Sequence, residues 1–207
     1  MSNKIVSQHI PEYIYSAIEK VGFEKRTYQT KAIINSLDIL LNGNNVEINL
    51  PPGTGKTLIS QIISCIWILE YFPNNKVLFI LPSRILSKQH FEFFEKWAYF
   101  GTNLCNPVLI SSQWANTKNI PHQETLRERN PWFTTPGIFA NRIGKIIPYE
   151  ILPLINLVIV DEYDAFTIGV MQSYGINQRF SIALSNLFEW FDVEKKNYLL
   201  LSATPIK

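Results

Sequence analysis

The sequence predicts an α/β fold, with a mostly parallel central sheet and helices on both faces. Three observations predict it. Val46–Leu50, Lys76–Leu81, Asn156–Val160 and Tyr198–Leu201 are short apolar runs of the kind that lie in strands buried on both sides. Segments with helical spacing separate them, which is the alternation that builds parallel sheets. Gly53-Thr54-Gly55-Lys56-Thr57 stands between the first strand and the next helix, at the sheet edge where such folds bind ligands.

Each element has a local reason. Ile10–Lys20 and Tyr28–Leu41 carry helical spacing, with Ile33, Leu37, Leu40 and Leu41 on one face, and Gly43 among asparagines ends the second helix. Pro51-Pro52-Gly53 breaks the first strand. Lys56–Tyr71 reads as a helix stopped by Phe72-Pro73-Asn74-Asn75, and Pro82 stops the second strand. Ile85–Phe100 returns to helix, and Val108–Ile110 is a brief strand. Ser111–Asn130 is polar, with a short helix expected around Glu124–Arg129. Trp132–Thr134 is extended, and Pro136 opens a helix to about Ile146. Ala165–Phe191 reads as helical segments broken near Gly175.

With 207 residues the chain is long enough for one sizeable core, and residues 1–207 are expected to form a single domain, 1–25 being a helical extension. Charged residues are 17%, against roughly 25% in a typical soluble domain, while 46% are hydrophobic and 13% aromatic. This excludes a disordered tail, a collagen-like chain and a polybasic arm. A net charge of +2 leaves any nucleic-acid contact to local geometry. The low charge fits either an apolar surface covered by a partner or an aromatic-rich single domain. Cys65 and Cys105 have no metal or redox spacing and read as reduced thiols, a disulfide being the alternative. Met1–Ile10 lacks an apolar signal core, and Leu58–Leu69 is interrupted by Ser60, Gln61 and Ser64. The expectation is no membrane span and a cytoplasmic location, in a host cell if the source is viral.

The segment Leu50–Thr57 has the chemistry of a phosphate loop. Gly53 and Gly55 let backbone N–H groups turn inward, and the following helix N-terminus adds positive potential. Lys56, its ammonium expected to face solvent, reaches the β- and γ-phosphates, and the Thr57 hydroxyl suits Mg²⁺. The strict pattern wants Gly where Leu50 stands, so the match rests on Gly53, Gly55, Lys56 and Thr57. The alternative is a glycine turn before a helix. At the end of the apolar run Val158–Val160, Asp161 and Glu162 place two carboxylates on the same sheet edge. Asp161 suits Mg²⁺, usually through water, and Glu162 suits orienting an attacking water. The alternative is a pair of acids capping the next helix.

These residues resemble the first RecA-like domain of the superfamily 2 helicases and translocases, over about Arg26 to Lys207. Arg26-Thr27-Tyr28-Gln29 resembles the Q-motif region, which implies that Gln29 reads an adenine edge. Gly53–Thr57 resembles motif I, and Asp161-Glu162-Tyr163-Asp164 a DExD form of motif II. Leu81-Pro82-Ser83-Arg84 with Gln89 resembles motif Ia, and Thr135-Pro136-Gly137 motif Ib. Both imply contacts to a nucleic-acid backbone. Ser202-Ala203-Thr204 resembles motif III, which with Asp164 implies coupling between nucleotide and nucleic-acid sites. The resemblance implies a RecA-like P-loop NTPase that uses ATP and Mg²⁺ and acts on DNA or RNA. Ser111-Ser112 departs from the glycine pair frequent in DEAD-box members, and the Q region lacks their proline. The second RecA-like domain, which carries the family's arginine fingers, is absent from the sequence and would come in cis or in trans.

Read without the family, Arg84 is placed to hold a phosphate or begin a solvated helix. Thr135 is a natural N-cap, with Pro136 in the first turn. Ser202 and Thr204 end a buried strand. Trp114 is the one tryptophan in a polar loop and a candidate stacking platform, whereas Trp67, Trp97, Trp132 and Trp190 are core candidates. His90 and His122 show no metal spacing. The functional expectation is an ATP-hydrolysing motor domain. A non-catalytic ATP- or nucleic-acid-binding subunit is the alternative, and a small-molecule P-loop kinase a third reading.

Overall fold

The computed structural model describes residues 9–100, 105–112, 123–164, 186, 189 and 196–203. Six strands form one sheet: β1 (Val46–Asn49), β2 (Lys76–Ile80), β3 (Val108–Leu109), β4 (Trp132–Thr134), β5 (Ile155–Val160) and β6 (Asn197–Ser202). Their order is β1-β6-β5-β2-β4-β3, and every pair is parallel. The helices are α1 (Glu12–Lys20), α2 (Thr27–Leu41), α3 (Lys56–Ile66), α4 (Arg84–Phe100), α5 (Gln123–Glu128) and α6 (Pro136–Arg142).

The sheet separates two cores. Alternate residues of one strand serve each: Val77 and Phe79 of β2 join Ile14, Ile33, Leu37, Ile59 and Trp97 from α1–α4 on one face. Leu78 and Ile80 join Leu126, Phe139 and Ile151 on the other. Side chains that alternate across a pleated strand explain why β2 is apolar at every position facing both cores.

Two expectations shift. The helix expected over Lys56–Tyr71 is α-helical only to Ile66 and ends in a π-helical turn, Trp67–Tyr71. There Phe72 N–H reaches back to Trp67 O at 2.8 Å, while the buried Trp67 indole donates to Asn156 Oδ1 at 2.9 Å. Helix α6 ends at Arg142 rather than near Ile146, because Ile143 is extended (ψ 133°) and Gly144 turns the chain at φ +72°. A 3₁₀ helix, Tyr149–Leu154, leads into β5. The segment 165–185, Trp114, His122, Trp190 and Thr204 lie outside the described residues.

Parallel pairing puts every strand's carboxyl end on one edge, and single bonds extend the ladders into the loops. Leu50 N–H donates to Ser202 O (3.2 Å), Leu81 N–H to Thr134 O (3.0 Å) and Asp161 N–H to Ile80 O (3.1 Å). Cys65 and Cys105 are free thiols with Sγ atoms 3.3 Å apart, a proximity their 40-residue separation does not disclose.

Candidate nucleotide and nucleic-acid sites

The loop between β1 and α3 has the predicted backbone. Gly53 and Gly55 lie at φ +77° and +84°, left-handed conformations that cost other residues roughly 1–2 kcal/mol. Gly55 is also the residue immediately before α3. Lys56 departs from expectation: it is buried, and its ammonium donates to Leu50 O at 3.0 Å. The carbonyl anchors it because the loop wraps closely around the helix start. Two side chains of the 26–29 segment brace the loop from outside. Tyr28 OH (2.7 Å) and Gln29 Nε2 (2.9 Å) both donate to Thr54 O. Beside them a cavity of about 410 Å³ is lined by Phe23, Arg26, Gln29, Gly53, Gly55 and Leu58, among others.

Asp161 leaves β5 almost wholly buried, facing this loop. Burial pushes its carboxyl up to about 7. The Glu162 N–H, the Lys56 charge and the Thr57 hydroxyl act against that rise. The two residues expected at a metal, Thr57 and Asp161, thus lie near each other, with the Lys56 ammonium close by. Among the described residues no group of three or more His, Cys, Asp or Glu gathers to hold a metal alone. One carboxylate and one hydroxyl fit Mg²⁺, which takes its remaining ligands from phosphates and water. Glu162 is half-buried at φ +53°, the one non-glycine in the left-handed region among the described residues. Its N–H donates to Asp161 Oδ1 at 2.8 Å.

Asp161 has a neighbour that linear spacing did not reveal. His90 Nε2, from α4, lies 3.6 Å from Asp161 Oδ2. Burial holds this imidazole down to about 4. Pairing of β2 with β5 brings the two together, so no sequence spacing carries the signal.

A second concavity, about 340 Å³, lies beyond the ends of β2, β3 and β4, lined by Arg84, Ser87, Lys88, Ser111, Ser112 and Ile138, among others. Arg84 is exposed there, and Pro82 is half-buried. The Ser83 hydroxyl accepts Leu86 N–H at 3.2 Å and caps α4. Thr135 occupies the N-cap position of α6 but makes no side-chain capping bond, contrary to expectation. Thr135 and Pro136 are buried, and of that motif Gly137 alone approaches the surface. Ser202 is buried, Ala203 and Asp164 half-buried.

A family model described as DEAD/DEAH box helicase matches residues 26–207. The chain belongs to the DEAD/DEAH box helicase family. Its fold is shared with Dbp5 of S. cerevisiae bound to RNA and ADP BeF3 (TM-score 0.70, 19% identity, 96% of this chain and 46% of that one). It is shared with the yeast DEAD-box splicing factor Prp28 (0.74, 16%, 100% and 47%). A hypothetical ATP-dependent RNA helicase from Sulfolobus tokodaii is similar too (0.66, 21%, 93% and 50%). The chain spans about half the length of these proteins. The DEAD/DEAH match starts at Arg26, so α1 precedes the matched region, packed on α4. No described helix of this family member is long and apolar enough to cross a membrane.

Proposed function

We propose that this chain is the ATP-binding, N-terminal RecA-like motor domain of a superfamily 2 helicase, coupling ATP hydrolysis to movement on, or unwinding of, a nucleic acid. One observation carries the reading: Lys56, Thr57, Asp161 and Glu162 converge at one sheet edge, and the loop holding the first two is bonded through Leu50 to Ser202. RNA is the favoured substrate, because solved relatives of the same fold hold it. Cytoplasm, or host cytoplasm, is the location we infer.

The backbone amides of Gly53–Thr57 cradle the phosphates, and Gln29, next to the 410 Å³ cavity, is placed to meet the adenine edge. Lys56 leaves Leu50 O to meet the β- and γ-phosphates. Thr57 and Asp161 would hold Mg²⁺, which would supply neutralising charge to those phosphates. Glu162 orients the water that attacks the γ-phosphate, giving ADP and inorganic phosphate. Arg84, Ser83, Pro82 and the Gly137 backbone contact the nucleic-acid backbone, with Thr135 and Pro136 supporting that turn from within. Asp164, Ser202, Ala203 and Thr204 relay between the sites. The arginine fingers are assigned to a second RecA-like domain, in cis or in trans, as the resemblance to superfamily 2 implies.

The test is steady-state ATPase of the 207-residue chain, with and without single-stranded RNA or DNA and a second RecA-like domain in trans. The lone chain is expected to turn over slowly, and a finger supplied in trans to add a factor of about 10³–10⁵. Arg84→Ala should weaken nucleic-acid binding uniformly across sequences and reduce the salt slope by about one. Robust unwinding by the monomeric lone chain would overturn the half-motor reading. No nucleotide binding at all would overturn the motor reading altogether.

A further inference from the structure

His90 has no role in the reading above, yet its surroundings are built. The side chain is buried, and Nδ1 has no hydrogen-bond partner. Nε2 points at Asp161 Oδ2 from 3.6 Å, just beyond hydrogen-bond length. The residue is held from behind. Its carbonyl accepts Gln61 Nε2 at 3.0 Å, and Gln61 Oε1 accepts the Trp97 indole N–H at 2.7 Å. Gln61 and Trp97 are both fully buried, so this bond chain pins α3 and α4 around the imidazole. A buried ring with an unpaired nitrogen is unfavourable where an aliphatic side chain would pack. Asp161, for its part, has its two oxygens divided: Oδ1 takes the Glu162 N–H, and Oδ2 faces His90.

We propose that His90 is a positioning residue for Asp161, holding from α4 the carboxylate orientation that a Mg²⁺-nucleotide requires. The assignment rests on the nucleotide-site reading. The imidazole edge is one small shift from a direct hydrogen bond to Oδ2. It touches neither nucleotide nor metal and acts only through Asp161. Groups that orient a metal ligand change metal affinity by about 10–100-fold when removed. The outcome here should lie at the low end, because the carboxylate contacts Mg²⁺ usually through water.

The experiment titrates a fluorescent ADP (the mant derivative) into the 207-residue chain, in EDTA and across a Mg²⁺ series. His90→Leu should bind mant-ADP in EDTA as wild type does, while the Mg²⁺ concentration that half-restores full affinity rises roughly tenfold. His90→Gln, whose amide nitrogen sits the same number of bonds from Cα, should stay within about threefold of wild type. Melting curves check the fold. Should His90→Leu not fold, His90→Asn decides against His90→Gln: the shorter amide must lose the Mg²⁺ response and the longer one keep it. An unchanged Mg²⁺ response in His90→Leu overturns the assignment. So does equal loss with and without Mg²⁺ and no rescue by Gln, which would mark a packing role. Failure of the nucleotide site itself shows separately, as wild type and Lys56→Ala binding mant-ADP equally weakly, and takes this assignment with it.

Discussion

Gln29 and Gly55 compete for one volume. A Cβ on Gly55 would lie 2.5 Å from Gln29 Nε2, and that amide is bonded to Thr54 O. Gly55→Ala therefore adds a steric clash to a left-handed strain at φ +84°, about 1–3 kcal/mol together. Gln29→Ala in the Gly55→Ala background should recover the clash and leave the strain. Urea unfolding of the two single variants and the double variant measures the coupling, and strict additivity would contradict the shared volume.

Lys56→Ala should lose nucleotide binding and also destabilise the free chain. The ammonium is buried and bonded to Leu50 O, so its removal leaves a carbonyl short of a partner at about 1 kcal/mol. Fluorescent-ATP titration and chemical unfolding test the two effects separately. Wild-type affinity in this variant would remove Lys56 from the site.

Asp161 and His90 should drive the stability of the nucleotide-free chain in opposite directions with pH. The Asp161 carboxyl is raised to about 7 by burial. Its stabilising share is full below its unfolded value near 4 and is lost as pH rises through 7. His90 is lowered to about 4 by burial. Its share is full above about 6.5 and is lost as pH falls through 4. Relative to wild type, Asp161→Asn should make the stability–pH slope more positive between about 4 and 7. His90→Leu should make it more negative between about 4 and 6.5. Each change is at most about 1.4 kcal/mol per pH unit. Unfolding free energies across pH 4–8 check the signs, and two shifts of the same sign would refute the assignments.

Glu162→Gln should keep ATP binding and lose hydrolysis, because the amide keeps the shape but polarises water poorly. Glu162→Gly tests the backbone. At φ +53° glycine relieves strain, so this change should be neutral or stabilising by up to about 1 kcal/mol, where an ordinary Gly substitution costs about that much. ATP affinity, turnover and urea midpoints separate the two variants. Equal loss of nucleotide binding in Glu162→Gln and Asp161→Asn would sink the division of roles.

The strands and most helices were legible because their signals are local. Trp132–Thr134 matches β4 residue for residue, and Thr27–Leu41 begins one residue before the expected helix. The phosphate loop was legible for the same reason: adjacent glycines, a lysine and a strand-to-helix junction need no distant partner. The π-helical turn at Trp67 and the early end of α6 were not, because they answer to Asn156 across the core and to the turn at Gly144.

Apolar periodicity alone determined that this chain builds a buried parallel sheet, and residue chemistry placed a phosphate loop and an acid pair at strand ends. Only the tertiary structure decided the order β1-β6-β5-β2-β4-β3, the burial of Lys56 against Leu50, and the meeting of His90 with Asp161. Buried apolar strands are nearly interchangeable as ladder partners. Which pairs with which depends on how two whole faces of side chains fill two cores at once, and that packing sets which distant polar groups are left facing one another.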